Sequence, residues 1–170
     1  MKKIAMLFAA LLCVAVGFAI VNGSKIKIWS VQFKPYNVAV SCHKAQAGGN
    51  IMVEKGLQKS SKPVFIYEEC GDGSVIFRLA SDRSLVIAVD GGTACNNADV
   101  VLKKYDGSKS QRWYIESSYK ATGKFDSYVA SALDRKYVWT ISEPVFNGEF
   151  VRLYENWGGS ARQRFTFADE

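Results

Sequence analysis

The sequence predicts an all-β domain of three repeats, preceded by an N-terminal export segment. Three observations support this prediction: short segments rich in β-branched and aromatic residues, glycine-bearing turns between them, and a strand–loop–Gln-Arg-aromatic pattern that recurs along the chain. β-Branched and aromatic residues favour strands, and many short strands at regular spacing are typical of a barrel or a sandwich. A chain of 170 residues is suited to one such domain.

The first 23 residues have the composition of a secretory signal. Lys2 and Lys3 precede an apolar run from Ile4 to Val21 that carries no charge. A basic start followed by an apolar stretch is the pattern of a signal peptide. The run is also close to the roughly 20 residues that span a bilayer, so an uncleaved anchor is the alternative.

Small residues offer two positions at which the export segment could be cleaved. One is marked by Gly17 and Ala19, and the other by Val21 and Gly23. We expect residues 1–23 to be removed and residues 24–170 to form the mature domain, which would be periplasmic or extracellular.

The charge balance gives little support to nucleic-acid binding. The chain carries 22 basic and 16 acidic residues, a net charge of +6, and loss of Lys2 and Lys3 leaves +4. The remaining positive charges are scattered rather than gathered in one tract. Mild attraction to an anionic membrane surface is compatible with this pattern, whereas a dense basic patch would be needed for nucleic acid.

Four cysteines and one histidine limit the redox and metal chemistry. Cys13 lies in the export segment, which leaves Cys42, Cys70 and Cys95. In an oxidising compartment we expect one disulfide and one remaining thiol, with the pairing undetermined. The cysteine spacing and the single His43 do not match a zinc motif, so we expect no metal and no cofactor.

The strands follow one another along the mature chain with turns between them. The clearest predicted strands lie at 25–29, 37–40, 64–67, 74–78, 85–89 and 99–102. Glycine-bearing turns are predicted at 48–50, 70–73, 90–92, 106–107, 147–148 and 158–159.

Internal repetition then outweighs the local pattern. Residues 100–113 and 151–165 each contain a strand, a glycine-bearing loop and a Gln-Arg-aromatic sequence, and residues 51–65 form a degraded third copy. A short strand precedes each copy, at 38–40, 87–89 and 140–141. Three copies at roughly 45–50 residues predict a closed structure in which each unit buries its apolar face against the others.

These residues resemble the ricin B-type lectin domain, a β-trefoil whose three repeats each end in Gln-x-Trp. The motif is intact at Gln111-Arg112-Trp113, altered at Gln163-Arg164-Phe165 and degraded at Pro63-Val64-Phe65. The resemblance covers about Lys25 to Ala168 and implies a single β-trefoil. We expect the aromatic of each motif to fill the core and the glutamine to bind local backbone groups.

The resemblance also implies where sugar sites would lie. In that family an Asp on the strand before the loop accepts hydrogen bonds from two sugar hydroxyls, and an aromatic at the end of the next strand stacks on the sugar. A polar pair precedes or includes the motif Gln. The Asp position holds Ala39, Ala88 and Thr140, with Trp139 as the neighbouring alternative in the third copy.

The stacking position separates the three repeats. It holds Glu54, Lys103 and Tyr154 in turn, so an aromatic remains in the third repeat alone. The expected ligand site therefore lies there and comprises Tyr154, Arg152, Asn156, Trp157, Gln163 and Asn147. A shallow site of this kind combines an apolar platform with a few polar groups. The alternative is that Tyr154 and Trp157 merely cover the apolar layer.

We expect a binding protein rather than an enzyme. Cys42 and His43 are adjacent, and neighbouring residues on a strand point to opposite faces, which opposes a catalytic pair. The first hypothesis is a secreted carbohydrate-binding module with degenerate sugar sites, whose partner is a glycan or glycoprotein on a cell surface. The second is a sugar-independent trefoil that binds a protein or a membrane surface. Binding subunits of cytolethal distending toxins are similar in plan to this second type.

Overall fold

A computed structural model describes residues 20–32, 38–42, 44–55, 63–118, 126–142 and 148–170. Twelve strands lie in these ranges: β1 Lys25–Ser30, β2 Val38–Cys42, β3 Ile51–Lys55, β4 Phe65–Glu69, β5 Val75–Leu79, β6 Leu85–Val89, β7 Ala98–Lys104, β8 Trp113–Ser117, β9 Ser127–Ser131, β10 Tyr137–Ile141, β11 Glu149–Glu155 and β12 Phe165–Asp169. The helical residues of the same ranges form three short 3-10 turns, at Asp90–Gly92, Lys109–Gln111 and Ala161–Gln163. None of the described helices is long and apolar enough to cross a membrane.

Six strands close into a barrel. In order around it, β1 pairs with β4, β4 with β5, β5 with β8, β8 with β9, β9 with β12, and β12 with β1, all antiparallel. Three of these pairs have the same register at equivalent positions. The motif aromatics Phe65, Trp113 and Phe165 lie opposite Ile26 of β1, Val75 of β5 and Ser127 of β9, respectively. Closure removes the free strand edges that an open sheet would expose.

Three hairpins cover one end of the barrel. They are β2–β3, β6–β7 and β10–β11. β11 pairs with both β3 and β7, and Asn50 bridges to Val101 between the other two. The fold is therefore a β-trefoil of three four-stranded repeats, which confirms the all-β, three-repeat prediction.

The core lies along the barrel axis and is rich in aromatic side chains. Trp139 is fully buried and meets the rings of Phe77, Trp113 and Phe165 at centroid distances of 5.5, 5.2 and 5.8 Å. The indole nitrogen of Trp113 donates to the carbonyl of Ile87 at 3.0 Å. Phe65 is also fully buried, so all three motif aromatics fill the core as expected.

The expectation of a disulfide is not met among the described residues. Cys42, Cys70 and Cys95 are all free thiols in the structure, so the expected disulfide is not formed. They lie on different parts of the trefoil, at the end of β2, in the turn after β4 and in the loop before β7. Most of the export segment lies outside the described residues, and so does His43.

Candidate functional site

The register of the hairpins places the stacking position of each repeat. Glu54, Lys103 and Tyr154 each follow a fully buried residue on the third strand of their repeat, namely Val53, Leu102 and Leu153. Their cross-strand partners are Ala39, Val86 and Val138. The three positions are thus equivalent, as the repeat alignment predicts.

The register corrects the position of the family's Asp in the first repeat. Ala88 pairs with Val101 and Thr140 pairs with Arg152, two residues before the stacking position. The equivalent residue of the first repeat is Ser41, which pairs with Met52, and not Ala39. Sequence alone placed this residue wrongly because the shift is by two positions, which leaves the alternation of faces unchanged. None of these residues is a carboxylate.

Thr140 takes a structural role in the third repeat. Its side chain is fully buried, and its Oγ1 donates to the carbonyl of Val138 at 3.1 Å and accepts from Nε2 of Gln163 at 3.0 Å. An Asp here would present a charged oxygen pair, whereas the threonine hydroxyl is used within the fold. Trp139, the neighbouring alternative, points into the core.

An exposed aromatic pair stands beside this position. Trp157, 46% exposed, lies 5.7 Å from Tyr154 between ring centroids, with the planes tilted by 51°. The guanidinium of Arg162 lies 5.1 Å from the Trp157 ring, within the range of a cation–π contact. Its Nε donates to the carbonyl of Ile141 at 2.8 Å, which ties the arginine to β10. We call Tyr154, Trp157 and Arg162 the aromatic ledge.

The buried side chain of Gln163 fixes the loop that carries Trp157 through two hydrogen bonds. The buried amide of Gln163 accepts from the Trp157 backbone nitrogen at 2.8 Å and donates to the carbonyl of Glu155 at 2.8 Å. Asn156 caps the turn, because its Oδ1 accepts from the Gly158 backbone at 2.8 Å. Gln163 therefore positions the ledge from within the fold, and Asn156 shapes the loop at its surface.

The second repeat supports the other side of the ledge. Asn97 accepts a hydrogen bond from the Tyr154 hydroxyl at 2.9 Å, and its backbone nitrogen donates to the carbonyl of Leu153 at 2.8 Å. Asn97 has a φ of +69°, a conformation that asparagine tolerates better than most residues. Asp99 accepts from Nε of Arg152 at 2.7 Å. The ledge is thus built across the seam between two repeats.

A small apolar cluster lies on the face of the sheet that bears Tyr154. Tyr128, Ala130 and Val138 are buried there, and Tyr114 packs against them. Val138 is the cross-strand partner of Tyr154, and directly paired residues share one face. Tyr154 therefore lies on the same face of the sheet as this buried cluster.

The second repeat offers charge where the third offers a ring. Lys103 Nζ lies 2.9 Å from Asp90 Oδ1, and this hydrogen bond lowers the pKa of the Asp90 carboxyl. In the same repeat Arg78, held by Glu68 at 2.7 Å, covers one face of Tyr105 at 4.6 Å. A salt bridge at the stacking position cannot present a flat apolar surface to a sugar.

Most of the predicted site residues come together. Tyr154 and Trp157 touch, Asn156 and Gln163 hold the loop, and Arg152 is paired with Asp99 beside them; Asn147 lies outside the described residues. Sequence reasoning missed Arg162, although it directly precedes the motif Gln, where the family places a polar residue. It also missed Asn97, because a contact 57 residues away in another repeat leaves no local signal.

Comparison with known proteins supports the fold and leaves the activity open. No protein-family model matches the chain, and no curated protein matches it. Among solved structures, a mosquitocidal holotoxin aligns with a TM-score of 0.75 at 12% identity, over 89% of this chain and 18% of its own. An exo-β-1,3-galactanase from Clostridium thermocellum gives 0.73 at 12%, over 89% and 31%. A lectin from Polyporus squamosus, bound to a sialylated glycan epitope, gives 0.69 at 15%, over 89% and 50%.

The chain thus spans half or less of each of these three proteins. Each contains a region with this fold, and their names differ: a toxin, a glycosidase and a lectin. The chain is a β-trefoil, as the resemblance in its motifs implied. A function has to be argued from the site rather than from the fold.

Proposed function

We propose that this protein is a secreted carbohydrate-binding module that holds a glycan weakly on the aromatic ledge of its third repeat. The observation that carries the proposal is Trp157, an exposed indole fixed between Tyr154 and Arg162. Aromatic rings that are rigid before binding cost little conformational entropy and can stack on the apolar face of a sugar ring. A lectin among the structural neighbours, solved bound to a glycan epitope, supports this class of ligand.

The proposed binding is weak and tolerant of different hexoses. Thr140 occupies the position of the family's Asp and is fully buried, so no carboxylate there reads a pair of sugar hydroxyls. The Tyr154 hydroxyl is already bonded to Asn97, which leaves the ring face as its main contribution. We therefore expect no strong preference for galactose.

A binding role fits the charged groups of the site better than catalysis. The carboxylates nearest the ledge, Asp99 and Glu155, pair with Arg152 at 2.7 Å and Lys136 at 3.8 Å. Hydrolysis of a glycosidic bond uses two carboxyl groups that flank the bond: one, with a raised pKa, protonates the leaving oxygen, and the other acts as nucleophile or activates water. We propose that this chain has the β-trefoil fold in common with the galactanase but does not catalyse the galactanase reaction.

A glycan array followed by titration tests the proposal. Trp157→Ala and Tyr154→Ala should each weaken binding of an array hit by about 1–3 kcal/mol, or roughly 5–150-fold, because each removes one stacking ring. Lys103→Ala is the matched control, since it changes the same position of the second repeat and should leave affinity unchanged. Far-ultraviolet circular dichroism of each variant checks that the fold is intact.

Two results would contradict the proposal. Binding that survives both ring deletions and is lost in Lys103→Ala would move the site to the second repeat. An array without any hit would favour the second candidate, a sugar-independent trefoil that docks Trp157 on a protein or membrane surface. The exposed indole beside an arginine favours that candidate, because Trp and Arg are enriched among residues that dominate protein interfaces.

A further inference from the structure

Four residues ahead of β1 are bonded to the barrel. The backbone nitrogen of Gly23 donates to the carbonyl of Tyr67 at 2.7 Å, and Tyr67 in turn donates to the carbonyl of Ser24 at 3.0 Å. The side-chain oxygen of Asn22 accepts from the backbone nitrogen of Glu69 at 3.0 Å. The segment Ile20–Gly23 therefore extends the pairing between the start of β1 and strand β4.

The same segment also contributes apolar packing. Ile20 is partly buried and packs against the main core cluster, whereas Val21 is 67% exposed. Gly23 has a φ of +87°, and the backbone nitrogen of Ser24 donates to the carbonyl of Val21 at 3.0 Å. This turn directs Ile20 back onto the barrel. A chain that began at Ser24 would lack the contacts made by Ile20, Val21, Asn22 and Gly23.

We propose that the export segment is removed by hydrolysis of the Ala19–Ile20 peptide bond, so that Ile20–Gly23 is the first folded segment of the mature protein. Gly17 and Ala19 supply the small residues that a signal peptidase requires on the leader side of the bond. Water supplies a hydroxyl to the Ala19 carbonyl carbon and a proton to the Ile20 nitrogen. This places the boundary four residues before the one expected from composition, and it does not depend on the proposed function.

The export product tests the proposal directly. The full-length chain is expressed in a cell that exports it, the secreted protein is purified, and its N-terminus is read by Edman sequencing and intact mass. We expect Ile20 as the first residue. A first residue of Ser24, retention of Met1 or any other start would overturn the proposal.

Two exported variants test whether the segment belongs to the fold. Asn22→Ala removes the acceptor for Glu69 and should lower the melting temperature of the secreted protein by about 2–4 °C, the shift expected for one hydrogen bond in a domain of this size. Val21→Thr is the matched control at an exposed position and should melt like the wild type. Equal melting temperatures for all three proteins would overturn the proposal, because cleavage after Gly23 makes the three mature proteins identical.

Discussion

Two tryptophans of this domain differ in burial and therefore in role. Trp113 is fully buried, with its ring 5.2 Å from that of Trp139 and its nitrogen bonded to Ile87. Trp157 is 46% exposed and contacts Tyr154 and Arg162 at the surface. Burial assigns the first residue to stability and exposure makes the second available for binding.

At the residue scale, we predict that Trp113→Ala severely destabilises the protein. Loss of a buried Trp costs about 3–5 kcal/mol, a large part of the roughly 5–15 kcal/mol that stabilises a small domain. Trp157→Ala is the matched control and should change the free energy of unfolding much less. Urea denaturation followed by circular dichroism measures both, and a wild-type midpoint for Trp113→Ala would contradict the core assignment.

At the element scale, the arginine of each Gln-Arg-aromatic motif pairs with an Asp that lies ahead of the first strand of its own repeat. Arg164 lies 2.7 Å from Asp126, and their side chains are 7% and 3% exposed. Ser118 also donates to Asp126, which joins the end of β8 to this pair. In the second repeat, Arg112 reaches Asp72 at 3.3 Å on an exposed surface. The equivalent Arg–Asp contact is therefore buried in the third repeat and exposed to solvent in the second.

We predict that the buried contact between Arg164 and Asp126 contributes far more to the free energy of unfolding than the exposed contact between Arg112 and Asp72. Asp126→Ala leaves the Arg164 guanidinium buried without its counter-ion, which should cost about 3–5 kcal/mol. Asp72→Ala is the matched control and should have a much smaller effect, because water solvates Arg112 when the exposed pair is lost. Thermal unfolding of the two variants decides between them. Equal losses would show that burial does not set the strength of these contacts.

At the scale of the whole molecule, a threefold scaffold carries a different row of side chains in each of its three copies. The cross-strand rows that end at the three stacking positions read Thr166-Trp29-Ala39-Glu54, Ile66-Arg78-Val86-Lys103 and Tyr114-Ala130-Val138-Tyr154. The third row alone ends in an aromatic residue at the stacking position. The barrel is repeated, while the residue at the stacking position is not.

We predict that the described trefoil unfolds as one cooperative unit despite its repeats. β1 pairs with β12 as well as with β4, and each hairpin contacts the other two, so no repeat retains its partners when another opens. Tryptophan fluorescence and far-ultraviolet circular dichroism should report the same midpoint, as expected for two-state unfolding. Two separate transitions would instead show that one repeat unfolds before the others.

Much of this architecture could be predicted from the sequence by itself. Strand composition and glycine turns indicated β6, whose predicted bounds of 85–89 are those observed. The recurrence of Gln-Arg-aromatic indicated three units, and Phe65 was recognised as the degraded copy of Trp113. These features are local and periodic, so they are written in neighbouring residues. The resemblance to the ricin B-type lectin domain, applied to the aligned repeats, indicated Tyr154 rather than Glu54 or Lys103 as the remaining stacking residue.

The tertiary structure decided what depends on contacts between distant residues. Hairpin pairing showed that the residue equivalent to the family's Asp in the first repeat is Ser41 and not Ala39, because register is fixed by cross-strand hydrogen bonds rather than by composition. Asn97 bonds to Tyr154 and Asp99 to Arg152 across the seam between two repeats. Arg162 belongs to the site because its guanidinium packs on the ring of Trp157. The sequence determined which side chains this protein carries on each repeat, and chain closure decided which of them meet, because a barrel brings together residues that no local pattern connects.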